Sequence, residues 1–286
     1  MKRLLVTGGS GQVGSELRAL GPDLDFEIVA PGRAELALDS SCAIDRFLDD
    51  GEWAAVINCA AYTAVDKAES EPELAFAVNA AAPEIIAKAA AARGIPLLHV
   101  STDSVFDGSK DGLYTEDDPV APLGVYGTSK LEGERVIKAC HPSALILRTA
   151  WVVSPHGHNF VKTMLRVGAE RKQLRVVDDQ RGCPTSARDI ARTLLAIADR
   201  GEARGTYHFV NSGEATWWEL ARFVFDRAGM DVVVDSITTA DYPTPAQRPA
   251  NSRLSTARLQ HDLGIMPRPW QEAVGEVVDE LIRGHQ

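Results

Sequence analysis

The order of short apolar runs and amphipathic helical patterns in this 286-residue chain predicts an α/β fold, a doubly wound parallel Rossmann-type sheet with a smaller C-terminal lobe. Three observations carry that reading. Brief β-rich runs alternate with helical patterns as far as about residue 200. The runs lack polar alternation, as expected of strands covered on both faces by crossover helices. Gly8, Gly11 and Gly14 follow the first run where the first helix opens.

Each element has a local reason. Residues 3–7 hold an apolar run closed by Thr7 and a glycine, and residues 27–30, 55–59, 97–101, 144–149 and 174–177 repeat that brief apolar form as strands. Helical patterns at 12–20, 41–48, 72–93, 126–139, 160–170 and 187–199 lie between them, several opened by Pro, Ser or Asp near the first turn. After about residue 200 the alternation breaks: a strand at 207–210, a helix at 217–228, a strand at 232–236 and a Pro-rich loop at 242–253 precede helical stretches near Thr256 and Pro269. This asymmetry predicts a dinucleotide-binding domain, residues 1–150 with 172–200 returning to it, and a substrate-binding lobe of 151–171 and 201–286. The sequence has no internal repeat and no linker.

Composition narrows the function classes. Hydrophobic residues are 45% and charged residues 24% of the chain, as in ordinary globular proteins. Thirty Lys and Arg against forty Asp and Glu leave a net charge of −10 with no basic run, which argues against a nucleic-acid partner. Cys42, Cys59, Cys140 and Cys183 show no paired spacing and read as free thiols in a reducing compartment. The N-terminal apolar run is too short for an export signal. No stretch reaches the roughly 18 uncharged apolar residues of a membrane span, since even the Ala-rich region carries Glu84, Lys88 and Arg93. These features point to the cytoplasm and to no membrane partner.

Two constellations carry chemistry. The glycines permit a tight strand-to-helix turn whose amides and helix N-terminus can approach a pyrophosphate. Tyr126 and Lys130 stand four residues apart on a predicted helix and share a face. A phenol has a pKa of about 10, and a nearby ammonium would bring it toward neutrality. Thr102 lies just past the fourth strand, at the edge where open parallel sheets bind ligands, so its hydroxyl could meet a substrate carbonyl. His156 and His158 lack a third ligand and read as a solvated loop, and Trp217 and Trp218 read as packing of the C-terminal lobe.

At these residues the chain resembles the extended, nucleotide-sugar-modifying branch of the short-chain dehydrogenase/reductases. The segments T-G-G-S-G-Q-V-G-S-E-L (7–17), N-C-A-A-Y-T-A-V-D-K-A-E (58–69), S-T-D-S-V-F-D-G (101–108), Y-G-T-S-K-L-E-G-E (126–134), R-T-A-W-V (148–152) and R-P-A-N-S-R-L-S-T (248–256) resemble the dTDP-4-dehydrorhamnose reductase family over nearly the whole chain. Gln12 and the late R-P-x-N-S-R-L segment are the more specific signals.

The resemblance implies hydride transfer from a reduced nicotinamide to C4 of a dTDP-4-keto-6-deoxyhexose, giving dTDP-rhamnose. Thr102, Tyr126 and Lys130 would be catalytic. Gly8, Gly11, Gln12, Val13, Gly14, Asp39, Ala60, Ala61 and Tyr62 would bind the cofactor with Tyr126 and Lys130, while Thr102, Ser104, Tyr126, Trp151, Asn159 and Arg248 would bind the sugar nucleotide. Arg248 is the expected cation for the diphosphate. The second strand ends Ala30-Pro31-Gly32-Arg33, without a carboxylate, so Arg33 is expected to favour NADPH, with NADH also accepted. Some members of the family form dimers linked by magnesium on glutamates, and Glu16 matches one position; Arg188 stands where another carboxylate can occur, so no metal is expected, and a homodimer stays open. Ser104 replaces a tyrosine usual in the family. Three alternatives stay open: a related nucleotide-sugar 4-epimerase or 4-ketoreductase, a non-catalytic subunit like the partner of methionine adenosyltransferase, and a redox-sensing regulator.

Overall fold

The computed structural model describes residues 1–201 and 204–284. β1 (Lys2–Thr7) enters α1 (Gln12–Leu20) through the glycine turn, and β2 (Phe26–Val29), α2 (Ser41–Asp49) and β3 (Ala55–Asn58) follow. Ser40 starts α2 by accepting the Ala43 N–H on its hydroxyl, the usual remedy for an orphan first-turn amide. Next come α3 (Val65–Ala68), α4 (Pro72–Phe76), α5 (Ala82–Ala92) and β4 (Leu97–Thr102), then α6 (Val125–Cys140), β5 (Leu145–Thr149), β6 (Val152–Val153) and α7 (Phe160–Glu170). The remainder comprises β7 (Gln173–Val177), β8 (Arg181–Gly182), β9 (Thr185–Ser186), α8 (Ala187–Arg200), β10 (Gly205–His208), β11 (Ala215–Thr216), α9 (Trp217–Ala228), β12 (Val233–Ile237), α10 (Ala257–Leu263) and α11 (Trp270–Arg283).

Six parallel strands form the main sheet in the order β10-β5-β4-β3-β1-β2. Alternate side chains serve opposite faces, as the period of a strand requires. Leu4, Val6, Ile57 and Leu147 pack with Leu17 of α1 and Ile190 and Leu194 of α8. Leu5, Val56 and Leu97 pack on the other face with Ile44, Ile86 and Ile137 from α2, α5 and α6. Each such burial is worth about 1.5–3 kcal/mol. A third cluster joins β6, α7, α9 and α11 in the lobe. The order reverses between β1 and β3, which opens a crevice beyond their C-terminal ends.

Three expectations need correction. The strand expected at 174–177 forms, but it pairs with β12 in a separate two-stranded sheet and does not join the main one. Gln173, Leu174 and Arg175 alternate exposed and half-buried, a one-faced pattern that a doubly covered position would not accept. The place beside β5 goes to β10, shifted two residues earlier than the strand expected at 207–210. The continuous helix expected at 72–93 is instead α4 and α5 joined by a π turn, Ala77–Ala81. Pro83 has no N–H to donate to the Asn79 carbonyl one turn back, so the ladder widens there. Residues Pro72–Ala92 are long and apolar enough to cross a bilayer, yet Ile86, Ala87, Ala89 and Ala90 are buried in the core.

Candidate active site

The crevice at the switch point is part of a cleft of about 1580 Å³ that runs from the glycine turn to Trp217 and Arg248. Gly8 has φ 73°, and a Cβ there would lie 2.6 Å from the Ala60 nitrogen. At Gly14 a Cβ would lie 2.3 Å from the Gly8 carbonyl oxygen. Gly11 is the N-cap of α1 and supplies no capping side chain, and the first turn holds no acidic residue. That N-terminus therefore opens on the cleft with the polarity an anion needs. Gln12 and Val13 line the cleft beside it.

The opposite wall, Ala60 to Tyr62, hangs on two asparagines. Asn58 Oδ1 accepts the Ala60 N–H at 3.1 Å and the Thr7 hydroxyl at 2.6 Å. Asn79, in the π turn, accepts the Tyr62 N–H at 2.8 Å and donates to the Tyr62 carbonyl and the Ser129 hydroxyl. The break in the helix thus presents a buried amide to the cleft loop. Arg33 and Asp39 also border the cleft on the exposed loop after β2. Glu35 is nearby, but its carboxylate accepts the Gly32 N–H at 2.7 Å.

Helix α6 carries Tyr126 and Lys130, and a buried ion pair sets its place. Glu134 accepts from Arg148 of β5 at 2.8 and 2.7 Å and from Ser101 of β4 at 2.6 Å. Burial pushes the Glu134 carboxyl up, but Arg148 and Ser101 outweigh it and hold the group below the usual carboxylate range. The Tyr126 hydroxyl stands close to that of Thr102. Burial pushes Tyr126 up to about 12, the neighbouring Thr102 hydroxyl opposes this, and the Asp103 charge adds to it. Asp103 is itself pushed up to about 6 by burial, against the bond from Thr102 and the nearby Ser252 hydroxyl. Thr102 donates to Asp103 at 2.9 Å and accepts the Ser104 N–H at 3.1 Å; the Ser104 hydroxyl stands 3.2 Å from Thr102 Oγ1.

The expected lowering of Tyr126 by Lys130 is not the arrangement found. Lys130 is 2% exposed, and its Nζ donates to the Val100 carbonyl at 2.8 Å and lies 3.3 Å from His99 Nε2. Burial pulls Lys130 down to about 8, while Glu134 and Cys59 act in the other direction. Tyr126 is consequently a protonated phenol across the neutral range, the form a proton donor requires.

At the far end Trp151 adopts φ 48°, a left-handed conformation rare for a non-glycine residue and frequent at functional sites. Its indole donates to Ser252 at 3.0 Å and stacks on Trp217 at 3.5 Å with the rings 6° from parallel. Trp217 packs against the cluster of β6, α7, α9 and α11 as expected and also borders the cleft; Trp218 donates to the Val234 carbonyl. Arg248 borders the cleft, where it is paired with Asp66 at 2.8 and 3.0 Å. Asn159 does not border the cleft. Its oxygen caps α7 by accepting the Lys162 N–H, and its nitrogen donates to Gln12 at 3.0 Å, so it acts on the cleft through Gln12. Glu16 pairs with Arg188 at 2.9 Å, and no group of three or more metal-ligating side chains occurs among the described residues.

Sequence reasoning passed over Trp217, Asn58, Asn79, His99 and Ser252. Asn79 had a signal, a lone amide in an Ala-rich helix. Ser252 had one too: it lies within the R-P-x-N-S-R-L segment, where Asn251 donates to the Lys110 and Gly112 carbonyls and so brings Ser252 to Trp151 and Asp103.

A glycine turn at the switch point of a parallel sheet, with Thr102, Tyr126 and Lys130 beside it, defines a Rossmann-type oxidoreductase. The sequence pattern of the RmlD substrate binding domain matches residues 1–283. The chain is 44% identical over 290 residues to the dTDP-4-dehydrorhamnose reductase of Sinorhizobium fredii, covering 98% of each. It superimposes on a dTDP-4-dehydrorhamnose reductase from Clostridium acetobutylicum with a TM-score of 0.94 and 39% identity, over 98% of this chain and 99% of that one. The Bacillus anthracis dTDP-4-dehydrorhamnose reductase, solved in complex with NADP, gives a TM-score of 0.94 and 34% identity over 98% of this chain and all of that one. The chain belongs to the dTDP-4-dehydrorhamnose reductase family.

Proposed function

We propose that this protein reduces the C4 keto group of dTDP-4-dehydro-6-deoxy-L-mannose to give dTDP-L-rhamnose, with NADPH as the preferred reductant. The observation that carries this is the Thr102–Tyr126 hydroxyl pair on the rim of a cleft whose other end is a glycine turn cut for a diphosphate. The named activity of the relatives and the NADP of the Bacillus anthracis structure support it. The nicotinamide, when bound, supplies the hydride.

This chain's residues would do the rest. The open N-terminus of α1 and the glycine turn would hold the cofactor diphosphate, and Lys130 the ribose hydroxyls next to it. Arg33 and Asp39 border the cleft while Glu35 is tied to its own turn, so the Arg33 guanidinium would meet a 2′-phosphate. Thr102 would orient the keto oxygen and Tyr126 would give its phenolic proton to the forming alkoxide. The stacked indoles of Trp151 and Trp217 would cover an apolar face of the hexose. With Glu16 held by Arg188, the reaction is read as independent of metal.

The test is direct. Purified protein is mixed with dTDP-4-dehydrorhamnose and NADPH, nicotinamide absorbance is followed, and the sugar product is identified. Stoichiometric oxidation of NADPH with formation of dTDP-rhamnose is expected; formation of a C4 epimer without net oxidation, or binding without turnover, would overturn the reading.

A further inference from the structure

His99 sits in β4, wholly buried, with each ring nitrogen facing a nitrogen of another side chain. Nδ1 lies 3.0 Å from Asn58 Nδ2, and Nε2 lies 3.3 Å from Lys130 Nζ. The orientation of the Asn58 amide follows from its other end. A backbone N–H can only donate, and the Ala60 N–H points at that end, so the atom there is the oxygen, which also accepts from Thr7. Asn58 Nδ2 must then donate to His99 Nδ1, which is left with a lone pair and no proton. Burial beside Lys130 holds the imidazole neutral, so the single proton is on Nε2. An ammonium at Lys130 would meet that N–H donor to donor, whereas the amine accepts it and still donates to the Val100 carbonyl.

We infer that His99 is a positioning residue of this enzyme: fixed by Asn58 as the Nε2–H tautomer, it aims that N–H at the Lys130 nitrogen, holds the side chain against β4 and disfavours its ammonium form. The other ionisable groups that bear on Lys130 are Cys59, at the end of β3, and Glu134, one turn along α6. Both favour the ammonium, so His99 and burial work against them. Lys130 is thereby set to exchange its proton near neutral pH, on the same helix face as the proton-donating phenol.

Two measurements test this, and only the second rests on the reductase reading. Nitrogen-15 two-bond correlation spectra of histidine-labelled wild type, with the His99 signal assigned by its loss in His99→Asn, should show a neutral ring protonated on Nε2 at neutral pH; an Nδ1–H ring or an imidazolium would overturn the inference. His99→Asn keeps an oxygen for Asn58 Nδ2 to bond and, being shorter, withdraws the N–H that faces Lys130, its own amide nitrogen taking the place of a ring carbon. Its alkaline limb in the pH profile of kcat/KM should move up by about one pH unit, because the ammonium persists longer. An unmoved limb in a folded variant would overturn the tuning. Should the variant not fold, His99→Gln assigns the signal in its place and the wild-type tautomer decides alone, and a protein with the Nε2–H ring but no turnover would sink the reductase reading and not this one.

Discussion

The Glu134–Arg148 pair offers the sharpest test of what holds the catalytic helix in place. Glu134 is fully buried, Arg148 is 3% exposed, and the two share bonds of 2.8 and 2.7 Å with Ser101 as a third partner. Removing one member leaves an uncompensated buried charge, at a cost of about 3–5 kcal/mol. Arg148 is the more exposed to this loss, since its Nη1 already has no partner among the described residues. For a protein of this size about 2–4 °C accompanies each kcal/mol, so Glu134→Leu or Arg148→Met should lower Tm by roughly 6–20 °C. The double variant replaces the pair with apolar groups and should regain about 1–3 kcal/mol relative to the sum of the single losses. Urea unfolding of wild type and the three variants at neutral pH gives this cycle. Single variants that lose under about 1 kcal/mol, or a cycle additive within about 0.5 kcal/mol, would refute the reasoning. Because the folded Glu134 carboxyl titrates below its unfolded value, its contribution is complete above about pH 4.3 and is lost as pH falls through the folded value. The gap between wild type and Glu134→Leu should therefore close in acid.

Tyr126→Phe removes only the hydroxyl that meets Thr102, so kcat should fall about 10²–10⁴-fold while NADPH still binds by fluorescence titration; more than a tenth of wild-type kcat would exclude Tyr126 as the acid. Arg33→Ala should raise KM for NADPH and leave that for NADH nearly unchanged, and a wild type that strongly prefers NADH would contradict the role of Arg33. In Gly14→Ala the new methyl meets the Gly8 carbonyl at 2.3 Å, so NADPH affinity should drop at least tenfold, about 1.4 kcal/mol, by calorimetry; unchanged affinity would mean that the turn relaxes freely. Ser104→Tyr adds an aromatic ring beside Thr102 and should lower KM for the 4-keto sugar severalfold with kcat within about tenfold. An unchanged or higher KM would point to a pocket shaped for a different sugar.

Much of the scaffold was legible without coordinates. Apolar runs without polar alternation marked the first five strands of the main sheet, because burial on both faces leaves a pattern that lies within a few residues of chain. The glycine turn was legible for the same local reason, since a Cβ at Gly14 collides with the Gly8 carbonyl within the strand-to-helix junction, whereas the collision of Gly8 with Ala60 arises only once β3 lies beside β1. Tyr126 and Lys130 could be placed on one face by helical period alone. The remainder depends on partners far apart in sequence. Whether residues 174–177 or 205–208 complete the main sheet is decided by which neighbour each strand meets, and periodicity does not encode that. That Trp217 also lines the cleft, stacked on Trp151, depends on segments far apart in sequence. Arg248 appears in the sequence as a cation for the diphosphate, and its pairing with Asp66 of α3 is decided by a segment far from it along the chain. The tautomer of His99 is set by the Ala60 N–H acting through Asn58, and the state of Lys130 by burial that no spacing reveals. Charge state and hydrogen-bond direction follow from the three-dimensional surroundings of an atom, whereas strand, turn and helix face follow from its neighbours along the chain.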